Sequence, residues 1–196
     1  MKIDHQKAEY ASTPLNTKKI LLWLAMVSMI MLFAGLTSAY MVRQAEGNWL
    51  NFQLPGLFTA STVVLALSSV TMQLGVRAAK KGKIDLLRNL LMVTLTLGIL
   101  FVALQFQGWK ALVHDNVFFG GTKSNPSGSF LYVLTGLHLA HLAGGILYLM
   151  YVLLVTIKNS QIFGPKNVLS VELCATFWHF LDGLWIYLFL FLLFVK

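Results

Sequence analysis

The stretch that decides the fold is residues 169–195, which read LSVELCATFWHFLDGLWIYLFLFLLFV. It is longer than the roughly 20 apolar residues that an α-helix needs to cross the hydrocarbon core of a bilayer, so it predicts a transmembrane helix. Four earlier stretches are similarly long and apolar, at residues 20–42, 55–76, 89–109 and 130–157. The sequence therefore predicts an all-α fold, an integral membrane bundle of five transmembrane helices.

The composition also places the chain in a membrane. Hydrophobic residues make up 57% of the sequence and charged residues 11%, whereas soluble domains carry about 25% charged residues. The net charge of +8 comes from basic residues in the short segments between apolar stretches, which is typical of membrane topology and does not indicate a nucleic-acid partner. The single cysteine, Cys174, excludes an intrachain disulfide and a cysteine cluster for a metal.

The basic residues are distributed unevenly between the two sides of the predicted bundle. Eleven of the 15 Lys and Arg residues lie on the side of the N-terminus, in the N-terminal segment and in the loops after the second and fourth spans. Because basic loops are retained in the cytoplasm, this distribution predicts a cytoplasmic N-terminus and a periplasmic C-terminus. We expect residues 1–19 to form a cytoplasmic arm and residues 20–196 to form one transmembrane domain.

Five ionisable residues interrupt the last two spans, namely His138, His141, Glu172, His179 and Asp182. A charged group at the bilayer centre costs about 2.5–3.5 kcal/mol on insertion scales, so each needs a partner or a function. Residues three or seven apart share a side of a helix, and the short loop between these two spans makes them antiparallel neighbours. We therefore predict a buried polar cluster of His138, His141, His179 and Asp182 near the midplane.

Three roles for this cluster are open. Hydrogen-bonded packing between helices is the simplest, because interhelical polar pairs commonly stabilise membrane bundles. A proton-conducting or lipid-contacting role is the second, since ionisable residues inside membranes mark such sites. A haem or metal site is the third, but the first three spans contain no histidine that could supply axial ligands on a facing helix.

Small residues recur every four positions in the fourth span, at Gly136, Ala140 and Gly144. Such a ridge lets another helix approach closely, so it predicts an interface with a second helix or a second subunit. The same composition is common in membrane helices generally, and both interpretations stay open.

Four segments carry motifs of one membrane-protein family. Residues 172–185, ELCATFWHFLDGLW, match a helix that begins with Glu and continues with Trp-His-Phe-x-Asp-x-x-Trp. Residues 127–130, SGSF, look like a Gly-Ser-x-Phe segment, and residues 135–144, TGLHLAHLAG, match the Thr-Gly-x-His-x-x-His that follows it. Weaker matches lie at 98–105 and 27–35. Together these segments resemble subunit III of the haem–copper respiratory oxidases, whether cytochrome c or quinol oxidases.

The resemblance extends from Ile20 onward and is to the five-helix bacterial form of the family. Two positions depart from the family pattern. The first matched helix often has a carboxylate where this chain has Met29, and the third span often has Glu where this chain has Gly108. A role of the first carboxylate in lipid or proton handling therefore cannot be carried over to this chain.

The resemblance implies a non-catalytic core subunit of a proton-translocating terminal oxidase, which reduces oxygen to water in the bacterial inner membrane. The family's haems and copper belong to subunits I and II, so no cofactor or metal site is expected here. Subunit III packs against subunit I, sustains its proton uptake and binds phospholipid, and a small subunit IV is a further expected partner. The residues expected to keep the bundle and its lipid cleft in shape are His138, His141, Glu172, His179 and Asp182.

Other functions remain open from the sequence. A subunit III-like partner of a nitric oxide reductase would have the same fold beside a different catalytic subunit. A small transporter would place ionisable residues along a path through several helices, and the cores of the first three spans contain none. A membrane haem protein would be distinguished by the visible absorption of the isolated chain.

Overall fold

The structure is a computed structural model that describes residues 2–47, 49–50, 54–121, 125–158 and 164–195, with side chains from residue 17 onward. All regular structure within these residues is helical. The helices are α1 (Lys2–Ala45), α2 (Gly56–Lys80), α3 (Ile84–His114), α4 (Pro126–Lys158) and α5 (Pro165–Phe194). Each covers one predicted span to within one residue at its ends and is long and apolar enough to cross a membrane, α1 over Thr17–Ala45. The predicted all-α bundle of five transmembrane helices is confirmed.

Short turns and glycine or proline residues define the helix ends. Between α2 and α3, Gly82 has a φ of +67°, a left-handed conformation that glycine adopts without a steric penalty. The N–H groups of Lys81 and Gly82 donate to the carbonyls of Arg77 and Ala79 and close the end of α2. Helix α5 begins at Pro165, where the fixed φ of proline suits the first helical position. The tight α2–α3 turn makes these helices antiparallel neighbours.

Helix α5 lies at the centre of the bundle. Its backbone lies close to those of α1, α2 and α4, and 44% of its most apolar segment is buried, compared with 17% for α1. Helix α1 packs on α4 and α5, and none of its described residues comes within 8 Å of α2 between Cα atoms. Helices α1 and α2 are therefore separated by a cleft with α5 as its floor.

Two tryptophans of α5 fill the core and fix its position against α2. Trp178 and Trp185 are fully buried, and each donates its indole N–H to a hydroxyl of α2. The acceptors are Ser68 Oγ, 3.1 Å from Trp178 Nε1, and Thr62 Oγ1, 3.0 Å from Trp185 Nε1. Because a buried indole N–H needs an acceptor, these two bonds favour one register of α5 on α2.

Glycines of α3 and α4 make room for side chains of α5. A Cβ added to Gly98 of α3 would lie 2.8 Å from Cη2 of Trp178, and one added to Gly145 of α4 would lie 3.0 Å from Cδ1 of Leu181. Both distances are below the roughly 3.5–4.0 Å of a favourable carbon–carbon contact. The side chains of α5 therefore pack directly against the backbone of α3 and α4 at these two points.

Candidate functional site

Both ring nitrogens of His179 on α5 are bound by side chains of α2. Nδ1 lies 2.7 Å from Oγ of Ser69, and Nε2 lies 3.2 Å from Oε1 of Gln73. Because an amide oxygen can only accept, Nε2 carries the hydrogen and donates to Gln73, and Nδ1 accepts from the Ser69 hydroxyl. His179 is thus a hydrogen-bonded link between the central helix and α2.

Asp182 lies three residues beyond His179 on the same side of α5 and is only 4% exposed. Its Oδ2 is 4.0 Å from His179 Nδ1, and neither carboxyl oxygen has a hydrogen-bond partner among the side and main chains described. A buried carboxyl group without hydrogen bonds is unfavourable in an apolar environment. His179 is the ionisable group beside this buried carboxyl.

The two histidines of α4 occupy different surroundings. His138 is fully buried, with its ring 5.0 Å from that of Trp185 and 6.0 Å from that of Phe101, and neither of its nitrogens has a hydrogen-bond partner in the described part of the chain. His141 lies 2.7 Å through Nδ1 from the carbonyl of Leu137, one turn earlier in its own helix. Its ring faces α1, where it lies 5.8 Å from Phe33.

The predicted cluster of four residues contains one close pair, His179 and Asp182, whose side chains approach within 4.0 Å. His179 and Asp182 lie together beside α2, and no hydrogen bond or ion pair between described residues joins them to His138 or His141. Within α4, residues three apart are rotated by about 60° around the axis. That rotation directs His138 into the core and His141 towards α1. The role of these residues in shaping the bundle stays a prediction.

Glu172 lies apart from the buried residues, at the end of α5 where α2 terminates. Its Oε1 is 2.9 Å from Nζ of Lys80 on α2, and both side chains are partly exposed. Such an exposed ion pair contributes about 0–1 kcal/mol to stability. The pair therefore contributes little to the stability of the fold, and it places one positive and one negative charge at this end of the cleft.

Two cavities lie on the α1 side of α5 and share His179 as a lining residue, and the outer one is also lined by α2. The outer one, about 360 Å³, lies near the basic ends of the helices and is lined on its two walls by Lys19 of α1 and Lys80 of α2, with Glu172 on the floor. The inner one, about 460 Å³, is mainly apolar and lies between α1 and α5, where Phe33 faces it. Both are within the roughly 300–1,000 Å³ of small-molecule sites.

The small-residue ridge of α4 lies on the outside of the bundle. Gly136 and Gly144 have no atom within 4 Å of an added Cβ, and Ala140 is exposed. Another described helix of this chain therefore does not use the ridge, and contact with a different subunit stays a prediction. Gly145, one residue away from the ridge, makes the close approach to α5 instead.

Residues of α2 were missing from the predicted site. Ser69 and Gln73 bind His179, while Ser68 and Thr62 bind the two buried tryptophans. A signal for them exists in the sequence, because Thr62 and Ser69 are seven residues apart and Gln73 follows four residues later. Polar residues at these intervals share one side of a helix, and here that side faces α5.

Among the residues that the structure describes, no group of three or more His, Cys, Asp or Glu side chains is placed to hold a metal ion. Several described polar groups of the interior connect helices or line the cavities. The fold and these sites define a multi-pass α-helical membrane protein with a two-part cleft beside its central helix.

Comparison with known proteins gives the family. The sequence model of cytochrome c oxidase subunit III matches residues 48–195. A probable cytochrome c oxidase subunit 3 of Nocardia farcinica is 38% identical, over 90% of this chain and 86% of the relative. Cytochrome c oxidase subunit 3 of Corynebacterium diphtheriae is 31% identical over 85% of this chain and 82% of the relative. A probable quinol oxidase subunit 3 of Staphylococcus saprophyticus is 26% identical over 89% of this chain and 85% of the relative.

The chain belongs to the cytochrome c oxidase subunit III family, and the predicted resemblance is confirmed. It is the subunit III of a terminal oxidase, a multi-pass membrane protein that associates with other oxidase subunits. Subunit III is not the metal-binding subunit of such an oxidase.

Proposed function

We propose that this chain is a non-catalytic core subunit of a proton-translocating terminal oxidase in the bacterial inner membrane. It assembles with subunit I, subunit II and a small subunit IV, and the haems and copper that reduce oxygen belong to its partners. Its tasks are to stabilise subunit I, to sustain proton uptake during turnover and to hold phospholipid. We assign these tasks to the residues beside the cleft.

The observation that carries the proposal is the way α5 is held. His179 uses both nitrogens to bind α2 through Ser69 and Gln73, so this histidine is used in packing and is not free to ligate a metal. Interhelical hydrogen bonds in membranes contribute about 0.6 kcal/mol on average and about 1.7 kcal/mol at most. An auxiliary subunit whose interior polar groups stabilise its shape fits this arrangement.

The distribution of charge supports a cytoplasmic position for the basic ends of the helices. Lys19 of α1 and Lys80 of α2 line one cavity, so basic residues from separate segments share one side of the bundle. Basic residues accumulate on the cytoplasmic side of membrane proteins. The N-terminus is then cytoplasmic and the C-terminus periplasmic.

Purification through this chain tests the proposal. The tagged chain is isolated in a mild detergent, its partners are identified by mass spectrometry, and oxygen consumption is measured with reduced cytochrome c and with a quinol. We expect a haem–copper subunit I and subunit II to co-purify with oxygen-reducing activity. A nitric oxide reductase as the partner, or a haem spectrum from the separated chain itself, would contradict the proposal.

Two substitutions separate packing from turnover. We expect His179→Ala to lower the yield of assembled oxidase, because it removes two hydrogen bonds to α2. We expect Asp182→Asn to leave the yield unchanged, because its carboxyl makes no hydrogen bond with described residues, and to shorten the time over which the enzyme remains active during turnover. The matched controls are His114→Ala and Asp115→Asn, from an exposed histidine–aspartate pair. Equal yield and equal durability in all four variants would overturn the proposed role.

A further inference from the structure

Besides Asp182, two buried side chains of the core carry polar atoms that no described residue satisfies. Oε1 of Gln105 on α3 and both ring nitrogens of His138 on α4 have no hydrogen-bond partner among the described residues. Gln105 is 2% exposed and His138 is fully buried, so bulk water does not reach them. Because nearly all buried polar groups in proteins are hydrogen-bonded, either to protein or to ordered water, these three atoms need partners.

Gln105 and His138 lie at the same level of the bundle, between two contacts that join α3 to α4. One turn after Gln105, the indole N–H of Trp109 donates to Thr135 Oγ1 at 3.1 Å. One turn before Gln105, the ring of Phe101 lies 6.0 Å from that of His138. The two contacts run in opposite directions along the chain, so α3 and α4 are antiparallel. Gln105 therefore lies level with the part of α4 that runs from Thr135 to His138.

The donors around these atoms already have acceptors. The hydroxyls of Thr135 and Ser61 donate to main-chain carbonyls of their own helices. The indole N–H of Trp185, whose ring lies 5.0 Å from that of His138, donates to a hydroxyl of α2. A hydroxyl group and an indole ring each have only one hydrogen to donate. These side chains therefore cannot also donate to Gln105 or His138.

The partner of these atoms must both donate and accept hydrogen bonds. Oε1 of Gln105 only accepts, whereas a neutral imidazole has one N–H donor and one nitrogen acceptor. A water molecule offers two hydrogens and two lone pairs, and buried waters typically make about three hydrogen bonds to groups of this kind. None of the side chains named at this level is acidic, so a cation would have no counter-charge from them.

We propose that buried water joins α3 to α4 at this level of the bundle. One water donates to Oε1 of Gln105 and hydrogen-bonds to the nearer ring nitrogen of His138, and a second water serves the other nitrogen. Water is a normal bridge between polar groups that lie beyond the reach of a direct hydrogen bond. The site goes beyond the proposed function, because it belongs to the interior of this chain whichever catalytic subunit is the partner.

A high-resolution cryo-EM map of the assembled oxidase tests the site. We expect a density peak about 2.7–3.2 Å from both Oε1 of Gln105 and a nitrogen of His138, the usual distance for such bonds. His138→Phe keeps a planar ring and removes both nitrogens, so its map should lack this peak. A direct bond between the two side chains, or no peak where ordered waters are resolved elsewhere in the bundle, would overturn the proposal. A peak that elemental analysis identifies as a metal would overturn it as well.

Thermal unfolding of the purified oxidase tests the link between the two helices independently. Gln105→Met and His138→Phe each remove one side of the bridge, so the double variant should lose less in melting temperature than the sum of the two single losses. The control cycle uses Thr156→Val in place of His138→Phe, because this buried hydroxyl of α4 bonds only to its own helix. Thr156 lies about 27 Å along α4 from His138, so its loss should add to that of Gln105→Met. Additive losses in both cycles would contradict the bridge.

Discussion

The contact between Gly98 and Trp178 gives the sharpest test of the packing. Replacing Gly98 by alanine would place a Cβ 2.8 Å from Cη2 and 3.2 Å from Cζ2 of the indole. Ordinary contact begins at 3.4 Å, so the ring edge would have to move by about 0.6 Å. Trp178 cannot move freely, because it is fully buried and its N–H is bonded to Ser68. Gly98→Ala therefore overpacks the centre of the bundle.

The expected loss of stability is about 1–3 kcal/mol, the range for extra methyl groups in a well-packed core. Alanine also favours a helix over glycine by up to about 1 kcal/mol, which would hide part of that loss. Gly136→Ala removes this ambiguity, because its added Cβ meets no atom within 4 Å and gains the same helix propensity. The difference between the two alanine variants therefore reports the clash by itself.

The assay is unfolding of the purified chain by a denaturing detergent, followed by tryptophan fluorescence. We expect Gly98→Ala to be about 1–3 kcal/mol less stable than Gly136→Ala. Trp178→Phe removes the clashing atoms, so adding it to Gly98→Ala should cost less than adding it to the wild type, with a coupling of about 0.5–3 kcal/mol. Equal stability of the two alanine variants, or no coupling to Trp178, would refute the close approach of the indole to α3.

Two further predictions concern α2 and use the same assay. Thr62→Val should destabilise the chain by about 0.6–1.7 kcal/mol because it removes the acceptor of the buried Trp185 N–H, whereas Thr96→Val, whose hydroxyl bonds only to its own helix, should have almost no effect. Equal effects of the two would argue against the bond to Trp185. Lys80→Gln should change stability by less than about 1 kcal/mol, because its ion pair with Glu172 is exposed; a larger loss would mean that the pair is shielded from water.

The helices could be predicted from the sequence because apolar length is a direct consequence of the bilayer thickness. The neighbouring helix that each helix face packs against could not be predicted from the sequence. Spacing within α5 correctly places His179 and Asp182 on one side, but it does not say which neighbour that side meets. The neighbour is α2, whose Ser69 and Gln73 are not ionisable and therefore carry no strong signal in an apolar stretch.

Glycines illustrate the same limit. A small-residue ridge signals a possible close approach, yet Gly136 and Gly144 face away from the bundle while Gly98 and Gly145 pack against α5. Gly108 stands where the family often has Glu, and the structure shows a local reason for this difference. A Cβ there would lie 2.9 Å from the ring of Phe58, so the space that a larger residue would need is occupied by an aromatic side chain.

Packing contacts do not account for the carboxyl of Asp182. The tryptophan and histidine contacts hold α5 to α2 without it, and its carboxyl oxygens make no hydrogen bond to any residue described here. A buried carboxyl is unfavourable inside a membrane, so an amide of the same shape should pack at this position at least as well. We propose that the carboxyl beside His179 acts in the assembled oxidase, so Asp182→Asn should affect durability during turnover and not the folding of the chain.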